Sequence, residues 1–70
     1  MLGRYRHFKG GIYNAVCVAK HTETDELLVV YVRESDGACF CRPLEQFMSK
    51  VDTDKYPNAD QEYRFMPIGR

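Results

Sequence analysis

The chain has 70 residues, 44% of them hydrophobic and 29% charged, with five tyrosines and four phenylalanines. Ten basic and ten acidic side chains cancel to a formal net charge of zero, which excludes a bulk electrostatic pull toward nucleic acid or anionic lipid. The mixed composition excludes a disordered tail, and no apolar run is long enough for a membrane-spanning helix. One small domain, 1–70, is all that this length can hold, and such a chain buries only about 60% of the surface exposed when unfolded.

The first strand-forming run is Tyr5-Arg6-His7-Phe8, separated from Ile12-Tyr13-Asn14-Ala15-Val16 by Gly10-Gly11, a pair that permits the positive φ of a tight connection. From Ile12 to Lys20 the even positions carry the aliphatics Ile12, Val16 and Val18, while Ala15, Cys17 and Ala19 are small. Two unequal apolar faces predict a strand with one side in a core and the other under partial cover. A polar, turn-prone segment, His21-Thr22-Glu23-Thr24-Asp25, precedes the strongest strand signal, Leu27-Leu28-Val29-Val30-Tyr31-Val32. Asp36-Gly37 then reads as a two-residue hairpin turn, and Ala38-Cys39-Phe40-Cys41-Arg42 as the returning strand.

Pro43 ends that strand and can open a helical turn. Leu44, Phe47 and Met48 fall at i, i+3 and i+4 and would cover one end of the sheet. Residues 57–62 and the last few read as loop, with a short strand at Tyr63-Arg64-Phe65-Met66. The expected class is therefore all-β: a small SH3-like barrel of about five antiparallel strands with one helical turn near residues 43–48.

These residues also form recognisable motifs. The run Gly3-x-Tyr5-x-His7-Phe8-Lys9-Gly10-Gly11-x-Tyr13, the segment His21-x-Glu23-Thr24 with Glu26 and Val29-Val30-Tyr31, and Arg42-Pro43-Leu44-Glu45-x-Phe47 occur in that order. Together they resemble the small bacterial family called domain of unknown function 1653. Where members often carry a tryptophan two residues before the Arg-Pro pair, this chain has Phe40. The resemblance implies a compact β-rich module, alone or appended to other domains, and implies no activity.

Three constellations could carry chemistry. Cys39-x-Cys41 would place two thiols on one strand face, but structural zinc sites separate paired cysteines by two or more residues so that both sulfurs converge on the metal. At least two of Cys17, Cys39 and Cys41 are therefore expected to pack in the core as small hydrophobes, with no metal and no cofactor. An odd number of cysteines and an opening Met1-Leu2-Gly3-Arg4 without an apolar stretch lead to a cytoplasmic expectation.

His21 and Glu23 could form a general acid–base pair at a strand end. The simpler reading gives them to the turn, with Glu23 and the neighbouring threonines satisfying backbone groups. No catalytic residue is assigned, and a small enzyme built on His21 and Glu23 ranks third among the functions.

The aromatic and basic set His7, Lys9, Tyr13, Tyr31, Phe40 and Arg42 is the strongest candidate. Rings interleaved with cations suit an acidic or phosphate-bearing partner, most simply a protein or peptide, and they also suit nucleic acid or a nucleotide as the alternative. Lys9-Gly10-Gly11 is no phosphate loop, because a strand follows where a helix is needed. Residues 1–21 hold Arg4, Arg6, Lys9 and Lys20 and no acid, whereas all ten acids lie within 22–62. This asymmetry predicts that Arg4, Arg6 and Lys9 gather near Arg42 on one side, opposite the acid-rich turns. The expected protein is a non-enzymatic binding module, a monomer or weak homodimer, with no membrane partner.

Overall fold

A computed structural model describes residues 2–69. Its strands are β1 (Gly3–His7), β2 (Ile12–Lys20), β3 (Leu27–Arg33), β4 (Cys39–Pro43) and β5 (Phe65–Pro67), with one helical turn, α1 (Leu44–Phe47), after β4. All ladders are antiparallel, and the sheet order is β4-β3-β2-β1-β5. The all-β class holds. Barrel closure through hydrogen bonds does not follow, since β4 and β5 are the two edges and no ladder joins them among the described residues. No helix among the described residues is long and apolar enough to cross a membrane.

Curl does what a closing ladder would have done. Tyr31 on β3 and Phe65 on β5 are separated by two intervening strands, about 14 Å in a flat sheet. Their ring centroids are 5.3 Å apart. The sheet is thus folded over its own aromatic face, and α1 supplies the plug. Phe47 is 1% exposed, stacks on Phe65 with centroids 4.1 Å apart and meets Tyr5 edge-on at 5.1 Å. Tyr5, Ala15, Val29, Tyr31, Phe47 and Phe65 form the core, with Tyr13, Phe40 and Leu44 packed against it. Aromatic rings provide most of that area because each buries more surface than an aliphatic side chain, and Leu2, Val16, Val18, Leu27, Met48 and Met66 stay exposed. Met48, expected beside Leu44 and Phe47, is exposed because α1 ends at Phe47.

Register decides which side chains meet. Tyr5 pairs with Tyr13, His7 with Phe65, Tyr13 with Arg33, Tyr31 with Ala15 and Phe40, and Val29 with Arg42. Directly paired residues project to the same side, so these side chains share the concave face. In β2 the concave face is held by Tyr13 and Ala15, while Ile12, paired with Arg6, lies on the convex side. A bulge between Ala15 and Cys17 then reverses the alternation: Cys17 faces Val30 and Val18 faces Val29. Val16 at the bulge is exposed.

The cysteines also depart from expectation. All three are exposed free thiols. Cys39 and Cys41 alternate with Phe40, and it is Phe40 that turns inward, leaving both thiols on the convex face beside Val30 and Val32. The last strand begins two residues later than the sequence pattern suggests, and Tyr63 makes only an isolated bridge to Lys50.

Two turns share one backbone frame. Arg33 N–H donates to Ala38 O and Gly37 N–H returns to Arg33 O; likewise His21 N–H donates to Glu26 O and Asp25 N–H returns to His21 O. Each turn therefore holds four residues, not the two read from Asp36-Gly37, and each needs a left-handed residue in its fourth place. Gly37 (φ 73°) fills it in one turn and Asp25 (φ 59°) in the other.

Candidate functional site

The inward rows of β1, β2, β3 and β4 converge on a cavity of about 210 Å³ lined by His7, Tyr13, Tyr31, Phe40 and Arg42, together with Arg33 and Phe65. Five of the six residues singled out from sequence thus line one cavity. Alternation explains the convergence: Tyr31 and Arg33, and Phe40 and Arg42, are each two residues apart on neighbouring strands. Buried Tyr31 and Phe65 form the floor, while His7, Tyr13, Arg33, Phe40 and Arg42 are half-buried walls. The Tyr31 and Phe40 rings stack at 5.7 Å, and the Arg33 guanidinium lies 4.9 Å from the Phe40 centroid. Asp36 holds Arg33 in place, accepting from Nε at 3.0 Å and from an Nη at 2.7 Å.

A second cavity, about 290 Å³, adjoins the first through His7 and Arg42, which line both. Lys9, the sixth residue, stands here with Lys55, Tyr56 and Arg64. The Lys9 ammonium is 4.9 Å from the Tyr56 ring centroid and the Lys55 ammonium 5.6 Å from it. Arg42 Nε donates to the Tyr31 hydroxyl at 3.2 Å, and Arg64 Nε to the Ser49 hydroxyl at 3.2 Å. Neither bond neutralises a charge. Among the described residues, none of Lys9, Arg42, Lys55 and Arg64 makes an ion pair. Asp52 is the acid in this lining, and its Oδ1 accepts the amides of Asp54 and Lys55.

His7 registers the field. Burial first, then the charges of Arg42, Arg64 and Lys9, push its pKa down to about 4. Its Nδ1 accepts the Lys9 amide at 3.1 Å, so the neutral ring carries its proton on Nε2 and presents a donor.

Arg4 and Arg6 do not join this cluster, contrary to the sequence expectation. Odd and even residues of β1 project oppositely, so both arginines leave by the convex side. Arg4 clasps Glu34 at 2.8 and 3.1 Å, with Asn14 donating to the same carboxylate. Arg6 meets Asp60 at 3.4 Å and Gln61 at 2.9 Å.

His21 and Glu23 form no carboxylate–imidazole pair. The His21 Nδ1 accepts the backbone amides of Glu23 at 3.1 Å and Thr24 at 3.4 Å, while Thr24 Oγ1 accepts that of Glu26. Both side chains are exposed, and the imidazole works as a turn cap. No group of three or more metal-ligating side chains occurs among the described residues.

Sequence reasoning missed Arg33, Lys55, Tyr56, Arg64 and Phe65. Arg33 was accessible through its two-residue spacing from Tyr31. Lys55 and Tyr56 arrive from the loop after α1, where no periodicity marks position, and Arg64 and Phe65 from the last strand segment, whose pairing with β1 is not written in local pattern.

The family model of proteins of unknown function called DUF1653 matches residues 3–67. A crystal structure of a DUF1653 protein from Bordetella bronchiseptica is 37% identical to this chain, with a TM-score of 0.83. The match covers 100% of this chain and 88% of that one. No curated protein matches.

Proposed function

The chain belongs to the DUF1653 family, and from that premise we propose that it is a binding module whose concave face takes an acidic or phosphate-bearing partner. The observation that carries this reading is the convergence of Lys9, Arg42, Lys55 and Arg64 on His7 without an ion pair of their own among the described residues. The other arginines with an acid partner contrast with these: Arg4 meets Glu34 and Arg6 meets Asp60 on the convex side, and Arg33, in the wall of the first cavity, meets Asp36. Like charges held close raise the energy of the empty cleft, and an incoming anion relieves it. The aromatic walls give contact area, and the half-buried Arg42 and Arg64 stand partly out of water, where each charge-assisted hydrogen bond is stronger. His7 adds a neutral Nε2–H donor between the two cavities. With net charge zero, steering is weak and the affinity is modest.

The test is titration of isotope-labelled protein with inorganic phosphate and with a phosphorylated acidic peptide. Resonances of His7, Lys9, Arg42 and Arg64 should shift together. A bound anion also cancels the field of the cations, so the His7 pKa should climb from its value near 4 as phosphate is added. Charge reversal at Lys9 and Arg42 together should abolish the response with the melting temperature lowered by no more than a few degrees. Shifts scattered over the surface, or surviving that double variant, would sink the proposal.

A further inference from the structure

Resting on the anion-binding reading above, we infer that the partner's anionic group is a phosphate borne by a nucleoside, with the base in the aromatic cavity and the phosphate in the basic one. The juxtaposition is the argument. The two cavities share His7 and Arg42 as a common wall, so an occupant of one lies beside an occupant of the other. Individually they are small; combined they reach the ordinary size of a small-molecule pocket, on the order of 300–1,000 Å³. A simple anion such as phosphate uses only the basic chamber and leaves the ring-walled one unfilled.

What the ring chamber would take is decided by its polar atoms. A plain hydrocarbon ring, such as the phenyl of a phosphorylated tyrosine, needs apolar walls alone. Here the guanidinium groups of Arg33 and Arg42 and the imidazole of His7 stand among Tyr13, Tyr31 and Phe40. Tyr31 already accepts from Arg42, which leaves its hydroxyl proton free to be donated. A heterocycle with carbonyl and ring-nitrogen acceptors on its edge satisfies such donors, while its faces stack on the rings. Across the shared wall, Arg42, Arg64, Lys9 and Lys55 outnumber Asp52, which suits the two negative charges of a phosphate monoester better than the single charge of a diester. A free mononucleotide and the 5′-phosphorylated end of a single strand offer the same chemistry.

Calorimetry with the four nucleoside 5′-monophosphates, their parent nucleosides, inorganic phosphate and a 5′-phosphorylated oligonucleotide tests this. At least one monophosphate should bind about tenfold or more tighter than both its nucleoside and inorganic phosphate, the factor expected of one stacked base. Phe40→Leu, and Phe40→Ala where it folds by its melting curve, should erase that factor and leave inorganic phosphate binding unchanged. Arg42→Ala with Arg64→Ala should lose both. An oligonucleotide tighter than the free mononucleotide identifies a strand end as the source, and the reverse identifies the free nucleotide. Inorganic phosphate binding as well as every monophosphate would overturn the nucleoside inference and leave the anion-binding reading standing. Failure of all the phosphates would overturn both.

Discussion

Arg6 and His7 are neighbours in the chain and have opposite fates. Arg6 leaves by the convex face, where Asp60 and Gln61 meet it; His7 enters the concave face among rings and unpaired cations. The same division runs through the sheet. The convex side carries Val30 and Val32, three exposed thiols and Arg4 and Arg6 matched to acids, while the concave side carries the aromatics, Arg33 held by Asp36, and the cations that make no ion pair among the described residues. One peptide bond separates two chemical environments because side chains alternate along a strand. Net charge therefore says little here: a molecule with none can still concentrate positive charge on one face by giving its acids to the other.

The largest test of that contrast is packing. Phe47→Ala should destabilise by about 3–5 kcal/mol, since it removes a fully buried ring from the centre of the concave core. Val16→Ala, at the exposed bulge, should change stability by less than about 0.5 kcal/mol. Comparable losses in chemical denaturation would mean that the two faces are not energetically distinct.

A second test uses the paired turns. Gly37→Val should cost roughly 1–2 kcal/mol, because a β-branched residue resists the left-handed conformation. Asp25→Gly should do the reverse and stabilise by about 0.5–1 kcal/mol, relieving the same conformation in the sister turn. An unchanged denaturant midpoint in either variant breaks the equivalence of the two frames.

Acid offers a third. His7 protonates near 4 in the fold and near 6.5 when unfolded. Between these values the unfolded chain binds the extra proton, so its contribution to stability is complete above about pH 6.5 and is lost as pH falls toward 4. The melting temperature should decline over that window, and His7→Gln should flatten the decline. The convex and turn carboxylates act lower down: the Arg33 hydrogen bond, then the Ala38 amide, hold Asp36 at about 2, and Arg4 followed by Asn14 depresses Glu34. A profile unaltered by His7→Gln would show that neither burial nor the neighbouring cations depress the ring's pKa.

The smallest effect belongs to the thiols. Replacing Cys17, Cys39 and Cys41 by serine should move stability by less than about 0.5 kcal/mol, and a thiol reagent should label all three in the native protein. Protection of any of them until unfolding would contradict their placement on the convex surface.

Much of this was legible in advance, and the failures share a cause. Strands, turn positions and the aromatic–basic set follow from local pattern, because a period of two and a left-handed glycine leave marks in the sequence. Which face of a strand is buried is set by partners far away. Tyr13 outranks Val16 inside because curl brings Phe65 to it, at 5.8 Å between rings. Cysteine hydrophobicity argued for burial, but Phe40 needed the inward position and its neighbours took the other. Lys55 was invisible as a site residue because loops carry no period, and Arg64 because the long-range pairing of β5 with β1 leaves no local mark. Closure of the barrel was inferred from strand count, which counts elements and says nothing about the edges.

The position of β5 in the sheet has a temporal consequence. The hairpins β1–β2, β2–β3 and β3–β4 each join neighbours in the chain, whereas β5 pairs with β1 across nearly the whole length, Tyr5 against Pro67 and His7 against Phe65. Closing a loop of about 60 residues costs roughly 1.6 kcal/mol more than closing one of 10, so hairpins are positioned to zip early and β5 to dock late. Phe65, the floor of the cleft, arrives only with that docking, and Arg64 comes beside it. A chain caught before the last strand seats has rings and cations but no cavity to hold a ligand. An anion held in the cleft as proposed would therefore favour the docked strand, and its expected mark is a slower release of β5.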